Sequence, residues 1–273
     1  MNAAEIRAVT TGLLETHHDA HGYGPDPYNA TPIVHPMAEG KYLSALGLLH
    51  RAGLLSSSHF ENRAAASLDR LSETALHDET GTAWGLGFIW DEHTEHTPFL
   101  ITTGIVVDGI LDALEIWPDN ETALALKAAA ERWLSSAARL SQVAMPGGEI
   151  LVPDFRPGMN APITNAIAYW AGVMTRLGRD MSAEVEWCET QFVVDAGWPY
   201  RSESARFDLL HACYIARAFR KPSTRSEANL AHAVSQFEDR QGFCDKFDYL
   251  AEVDAIEYSG RATQMAVRLG AQG

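Results

Sequence analysis

Apolar residues recur at helical spacing along most of the chain, and the first clear example predicts two helices in a row. One stripe consists of Leu43, Leu46, Leu49 and Leu54, and it closes in the serines of residues 56–58. Ser58 followed by Glu61 has the form of a capping box. The run that this box opens has its stripe at Ala64, Leu68, Leu71 and Ala75. Because the linker between these helices is short, they must lie antiparallel.

The same arrangement recurs three more times. The first helix of the second pair ends before Pro118, and its stripe is Ile101, Ile105, Leu111 and Leu114. The second helix is capped by Asn120, and its stripe is Leu126, Ala130, Trp133 and Ala137. The third pair has a stripe at Ile163, Ile167, Trp170, Met174 and Leu177, ended by Gly178, and a return helix starting at Ser182. The fourth has stripes at Phe207, Leu210, Tyr214 and Ala218 and at Leu230, Val234 and Phe237, and a last helix is placed at about residues 259–269.

Period-two alternation is almost absent, so the pattern predicts an all-α fold. Consecutive helical hairpins either stack as an open solenoid or close into a ring. A solenoid requires a near-constant repeat length and a recurring consensus, and the sequence has neither. We therefore expect a single domain over residues 1–273 in which five to six antiparallel hairpins form an α/α toroid, either complete or incomplete.

The long linkers, each of which precedes the first helix of a hairpin, hold most of the aromatic, glycine and proline residues. They cover residues 21–29, 82–91, 153–160 and 197–200, whereas the return linkers are short and polar. In an antiparallel array all long linkers fall at one end, and loops at such an end commonly form a site.

Composition excludes several classes of protein. The 36 acidic and 21 basic residues give a formal net charge of −15, which argues against broad binding to nucleic acid or to an anionic membrane. No stretch approaches the roughly 18 apolar residues of a membrane span, and the first residues do not resemble a leader, so we expect a cytoplasmic protein. Cys188, Cys213 and Cys244 have no metal or disulfide spacing, and buried free thiols are the favoured interpretation.

Several short phrases resemble the six-hairpin, α/α-toroid superfamily of glycosidases, and most of all its uncharacterised members associated with polysaccharide genes. They are GPDPYN at residues 24–29, WGLGFIW at 84–90 leading into TPFLITT at 97–103, and WPY at 198–200 leading into FDLLH at 207–211. The resemblance implies a toroid whose cavity accepts a carbohydrate, as in the related glycosidases, polysaccharide lyases and sugar epimerases. A length of 273 residues is short for six full hairpins, so the ring would be open or one hairpin truncated.

Aromatic rings in the long linkers are the candidate sugar platform, since flat rings stack on the C–H face of a pyranose. The predicted substrate-binding residues are Tyr28, Asn29, Trp84, Trp90, Asp91, Trp198, Tyr200 and Arg206. The alternative for each tryptophan is that it closes the end of the helical array as part of the core.

The candidate catalytic residues are Asp208, Asp26, His211 and Tyr214. Asp208, His211 and Tyr214 are about three residues apart on a predicted helix, so they project from neighbouring turns of one face. A carboxylate, an imidazole and a phenol on an inward face can exchange protons with a sugar. The alternative makes Asp208 a helix cap and His211 a core histidine.

Other polar groups carry weaker signals. Asp108 and Asp112 share a helix face, as in the magnesium-diphosphate site of an isoprenoid enzyme. Such a site needs a denser acidic cluster and a second one elsewhere, so we interpret these two as solvated or capping charges. The histidine pairs at His17 and His21 and at His93 and His96 lack a third ligand, so no metal is predicted. The basic residues from 201 to 225 either favour an acidic sugar such as a uronate or form a solvated face.

These features favour a carbohydrate-active enzyme, a hydrolase or lyase acting on an oligo- or polysaccharide without a cofactor. One alternative is a glycan-binding module without catalysis that uses the same aromatic rings of the long linkers. Another is a terpenoid-type cyclase on a related toroid, which requires an Asp-rich motif that the sequence does not show.

Overall fold

A computed structural model describes residues 34–51, 53, 55–89, 95–136, 140–145, 147–156, 158, 162–193, 198–199 and 214–215. These residues are mostly helical. In chain order the elements are α1 (Pro36–Arg51), α2 (Ser57–Glu73), β1 (Leu76–Asp78), β2 (Gly81–Ala83), α3 (Leu100–Leu114), α4 (Glu121–Leu134), β3 (Leu140–Met145), β4 (Gly148–Pro153), α5 (Thr164–Arg176) and α6 (Ser182–Thr190).

Helices α1 and α3 lie side by side and run in the same direction. Gly40, near the start of α1, packs so closely on α3 that an added Cβ would lie 2.7 Å from the carbonyl oxygen of Ile105. Two turns further along α1, a Cβ on Gly47 would lie 3.6 Å from the Cβ of Asp112. The contact partner advances along α3 as the chain advances along α1, which establishes the parallel direction.

Helix α5 lies on α3 in the same parallel sense. A Cβ on Gly104 would lie 3.3 Å from Cδ1 of Tyr169. Towards the other end, Arg176 of α5 forms an ion pair with Asp112 of α3 at 2.8 Å. Helices α1, α3 and α5 therefore form one parallel layer, named here the inner layer.

Each inner-layer helix carries the following helix as an outer partner. Arg70 near the end of α2 pairs with Glu39 near the start of α1 at 2.7 Å, and Phe60 near the start of α2 contacts His50 near the end of α1. These contacts make α1 and α2 antiparallel, as predicted. Helix α4 packs on α3, and α6 packs on α5.

The described residues also contain two small antiparallel sheets, which the all-α prediction did not include. Strands β1 and β2 pair Leu76 with Ala83, and β3 and β4 pair Leu140 with Pro153. Along β3 the side chains alternate between buried and exposed, but the buried Ser141 is polar, and this hides the alternation from a hydrophobicity pattern. The Ser141 hydroxyl donates to Asp154, which makes its burial possible.

Most predicted helix ends are close to the observed ones. Asn120 caps α4 as predicted, with its side-chain oxygen accepting from the amide of Ala123 at 2.8 Å, and α6 begins at Ser182. Gly178 follows α5 with φ of 85°, a conformation that favours glycine. The cap of α2 is Ser56 rather than Ser58, because its hydroxyl accepts from His59.

Two apolar clusters hold these elements together. The larger lies among α1 to α5, and the smaller joins the sheet of β3 and β4 to α5 and α6. Cys188 in the smaller cluster is the buried free thiol that the sequence predicted, and burial raises the pKa of that thiol. Within the described ranges, no helix is long and apolar enough to cross a membrane.

The predicted fourth hairpin and the last helix lie outside the described residues, with one exception. Tyr214 and Ile215 are helical and buried, which agrees with the helix predicted there.

Candidate functional site

The linkers that precede the inner-layer helices meet at one end of the layer. The ring of His35, just before α1, contacts the ring of Phe88 in the linker before α3, with centroids 5.5 Å apart. The amide of Leu100 at the start of α3 donates to the carbonyl oxygen of Phe155 in the linker before α5, at 2.8 Å. The N-terminal ends of the inner layer therefore share one linker surface, as expected for an antiparallel array.

Trp84, a predicted sugar platform, is a core residue of the larger cluster. It is fully buried, and its indole Nε1 donates to the carbonyl oxygen of Leu71 at 2.8 Å. Its backbone amide donates to the hydroxyl of Thr103 at 3.1 Å. This is the alternative in which the ring closes the end of the array.

Trp198 is likewise buried, but in the smaller cluster. Its Nε1 donates to the carbonyl oxygen of Cys188 at 3.1 Å, and its ring meets Phe192 edge to face at 4.7 Å. Both tryptophans thus pack inside the fold, in different clusters. The remaining predicted residues, apart from Tyr214, lie outside the described part of the chain: Asp26, Tyr28, Asn29, Trp90, Asp91, Tyr200, Arg206, Asp208 and His211.

Tyr214, a predicted catalytic residue, packs on the inner layer. Its ring meets the ring of Tyr169 on α5 with centroids 5.8 Å apart and planes at 84°. The ammonium of Lys41 on α1 lies 5.0 Å from the centre of the Tyr214 ring and 5.1 Å from that of Tyr169. All three side chains are nearly or fully buried.

A chain of hydrogen bonds joins this aromatic pair to α3. Lys41 Nζ donates to the Tyr169 hydroxyl at 3.3 Å, and that hydroxyl donates to Oδ2 of Asp108 at 3.1 Å. An ammonium, a phenol and a carboxylate are therefore in sequence on three inner-layer helices. We name Lys41, Asp108, Tyr169 and Tyr214 the inner cluster.

Arg176 forms ion pairs along the acidic side of α3. Its guanidinium contacts Asp108, lies 2.8 Å from Asp112 and lies 2.5 Å from Glu115. Burial alone would lower the pKa of Arg176, but the two aspartates outweigh it, so that the pKa is raised. The interpretation of Asp108 and Asp112 as solvated or capping charges is wrong, since both are buried and paired.

The ion pairs of Arg176 also argue against a magnesium-diphosphate site at Asp108 and Asp112. A magnesium site of that kind needs carboxylates that are free to bind the ion. Here the guanidinium of Arg176 is paired with both aspartates. The sequence does not indicate this pairing, because Arg176 and Asp108 are 68 residues apart. In the described part of the chain, no group of three metal-ligating side chains converges.

A second buried ion pair lies on the other face of α1. Both oxygens of Glu39 accept from Arg70, at 2.7 and 3.0 Å, and Ser67 donates to the same carboxylate at 2.6 Å. Burial raises the pKa of Glu39, and the Arg70 contact opposes that rise. Because this pair joins α1 to its outer partner, its role is structural.

His35 adds an imidazole to the linker surface. Burial lowers the pKa of His35 to about 4, so the ring is neutral at pH 7. His35 is therefore a buried neutral histidine, which spacing did not single out.

The chain matches no family model and no curated protein. Among solved structures it is similar to PssZ from Listeria monocytogenes, with 8% sequence identity over 92% of this chain and 93% of that chain and a TM-score of 0.48. A likeness at this level does not assign the chain to a family.

Proposed function

We propose that this chain is a carbohydrate-active enzyme, a hydrolase or lyase of an oligo- or polysaccharide, built on an α/α toroid. Three parallel inner helices, each with an outer partner, are the arrangement that a toroid repeats around its axis. Tyr214 packs on this layer, so its helix is the candidate fourth inner helix. Closure of the ring is part of the proposal.

The observation that carries the proposal is the contact of Tyr214 with the ammonium of Lys41 and the ring of Tyr169. Ionisable side chains that are buried together cost stability compared with apolar packing, so their presence on an inner face supports a functional role. Beside this ring the Tyr169 hydroxyl accepts from the Lys41 ammonium and donates to Asp108, and a phenol placed in this way is equipped to exchange a proton.

In the proposed reaction one set of residues transfers protons and another set binds the sugar. Tyr214, Asp208 and His211 exchange protons with the scissile bond, and Asp26 is the alternative carboxylate. In hydrolysis an acid protonates the leaving oxygen and water takes its place at the sugar carbon. In elimination a base removes the proton next to a uronate carboxylate, and the leaving oxygen is protonated. The predicted linker residues other than the buried Trp84 and Trp198 hold the sugar.

The test uses the purified full chain and a panel of neutral and uronate-containing oligosaccharides. New reducing ends report cleavage, and the absorbance of an unsaturated uronide separates elimination from hydrolysis. We expect Asp208→Asn and Tyr214→Phe to lose turnover while circular dichroism stays unchanged. The matched control is Tyr42→Phe, since Tyr42 is a buried tyrosine whose hydroxyl accepts from Arg63 outside the inner cluster.

Two outcomes would overturn parts of the proposal. Full turnover in both Asp208→Asn and Asp26→Asn would remove these carboxylates from the mechanism. Glycan binding without any turnover, unaffected by either substitution, would instead identify a binding module.

A further inference from the structure

Lys41 is a buried cation at the point where the inner-layer helices and Tyr214 meet. Lys41 is only 1% exposed, and its helix neighbours on that face are mostly apolar, so a cation is buried in apolar surroundings. A lysine that only filled space would be replaced with advantage by an apolar side chain, because removing an ammonium from water is costly. The ammonium itself must therefore serve a purpose.

The ammonium of Lys41 is the donor to the Tyr169 hydroxyl. The Tyr169 hydroxyl has one proton, and it donates this proton to Asp108. It consequently accepts from Lys41, at 3.3 Å. Arg176 pairs with Asp108, so the chain of contacts ends on a buried ion pair.

The ring of Tyr214 contacts two members of this chain, Lys41 and Tyr169. Its centroid is 5.0 Å from the ammonium, within the range of a cation–π contact, and it meets Tyr169 edge to face. We propose that Lys41 is a positioning residue, which fixes the Tyr214 ring on the inner layer through its charge. The inference deepens the proposed function, since it assigns Lys41 a role in the same site.

Three substitutions separate the charge of Lys41 from its shape. Lys41→Met keeps the length without charge or hydrogen bond, and Lys41→Gln keeps a donor for Tyr169 without charge. Lys41→Arg keeps a cation over the rings. If the charge positions Tyr214, Met and Gln release the ring and Arg retains it.

A double-mutant cycle measures the contact without reference to activity. The unfolding equilibrium in urea is compared for Lys41→Met, Tyr214→Leu and the double variant. We expect a coupling of about thirtyfold in the equilibrium constant, as for a desolvated cation–π contact. The matched control is Lys127→Met on the outer helix α4, which should be additive with Tyr214→Leu.

A fluorotyrosine at position 214 reports the ring directly by NMR. One resonance should be seen in the parent chain and in Lys41→Arg, and a shifted or broadened one in Lys41→Met and Lys41→Gln. If Lys41→Met fails to fold, the Gln variant carries the comparison. Additivity in the cycle together with an unmoved resonance would overturn the inference, whatever the activity.

Turnover, where the parent has it, distinguishes positioning from general damage. We expect Lys41→Gln to lower kcat about tenfold with KM within about twofold of the parent, and Lys41→Arg to recover most of kcat. If the parent chain shows no turnover, the proposed function is wrong. The double-mutant cycle and the fluorotyrosine resonance would then still test the role of Lys41.

Discussion

Gly109 on α3 packs against the backbone of Gly40 on α1, and neither position has room for a side chain. A Cβ on Gly109 would lie 2.9 Å from the Cα of Gly40, and it would overlap the Gly40 carbonyl oxygen. The two helices therefore touch backbone to backbone. This close approach places Lys41, the residue after Gly40, within reach of Tyr169 on α5.

Gly109→Ala should destabilise the fold, because its methyl group would force the two backbones apart. Overpacking of this kind costs about 1–3 kcal/mol, which outweighs the gain of roughly 0.5–1 kcal/mol from replacing glycine in a helix. The control is Gly47→Ala on α1, whose Cβ would meet its nearest neighbour at 3.5 Å, an ordinary contact. Urea unfolding should show a loss for the first and no loss for the second. Equal stabilities would contradict the backbone contact.

Arg176→Met should destabilise the chain more than Arg51→Met. Loss of Arg176 leaves the buried carboxylates of Asp108 and Asp112 without their guanidinium, and breaking a buried pair costs about 3–5 kcal/mol. Arg51 contacts the exposed Glu115 at 3.1 Å, and surface pairs contribute about 0–1 kcal/mol. The free energy of unfolding in urea at pH 7 measures both. A loss below about 1 kcal/mol for Arg176→Met would mean that the aspartates are solvated after all.

The helices could be predicted because their buried faces are apolar at regular spacing. Leu43, Leu46 and Leu49 are all buried, and they define one face of α1. The sheet of β3 and β4 was missed because its buried positions include the polar Ser141. A hydrophobicity pattern identifies a buried position only if the residue at that position is apolar.

The inner cluster could not be predicted for a different reason. Lys41 and Tyr169 are 128 residues apart, and no local motif indicates that they meet. Tyr214 was selected by its spacing from Asp208 and His211, but its observed neighbours come from other helices. Side-chain partners across parallel helices depend on register, which the close contact of Gly40 and Gly109 sets.

The stability of the chain should depend on His35 in mild acid. The pKa of His35 is lowered from 6.5 to about 4 in the folded state, so the unfolded chain binds this proton first as the pH falls. The contribution is therefore fully present above pH 6.5 and is lost between pH 6.5 and 4, to a total of roughly 3 kcal/mol. As the pH falls through this window, the unfolding free energy of the parent should drop by this amount relative to that of His35→Leu. His59→Gln, a substitution at an exposed histidine, is the control, and a parallel pair of pH curves would contradict the assignment.

Trp84→Phe should lower stability rather than sugar binding, because the indole is a core group. The substitution removes the hydrogen bond to the Leu71 carbonyl oxygen and part of the buried ring, at a cost of about 1–3 kcal/mol. Trp84→Ala, which leaves a cavity, should cost about 3–5 kcal/mol. The control is Trp117→Phe, since Trp117 is only half-buried at the edge of the same cluster. Urea unfolding and calorimetric titration with oligosaccharides measure the two properties separately. If Trp84→Phe abolished sugar binding and left the unfolding free energy unchanged, the ring would be a sugar platform, as the linker pattern suggested.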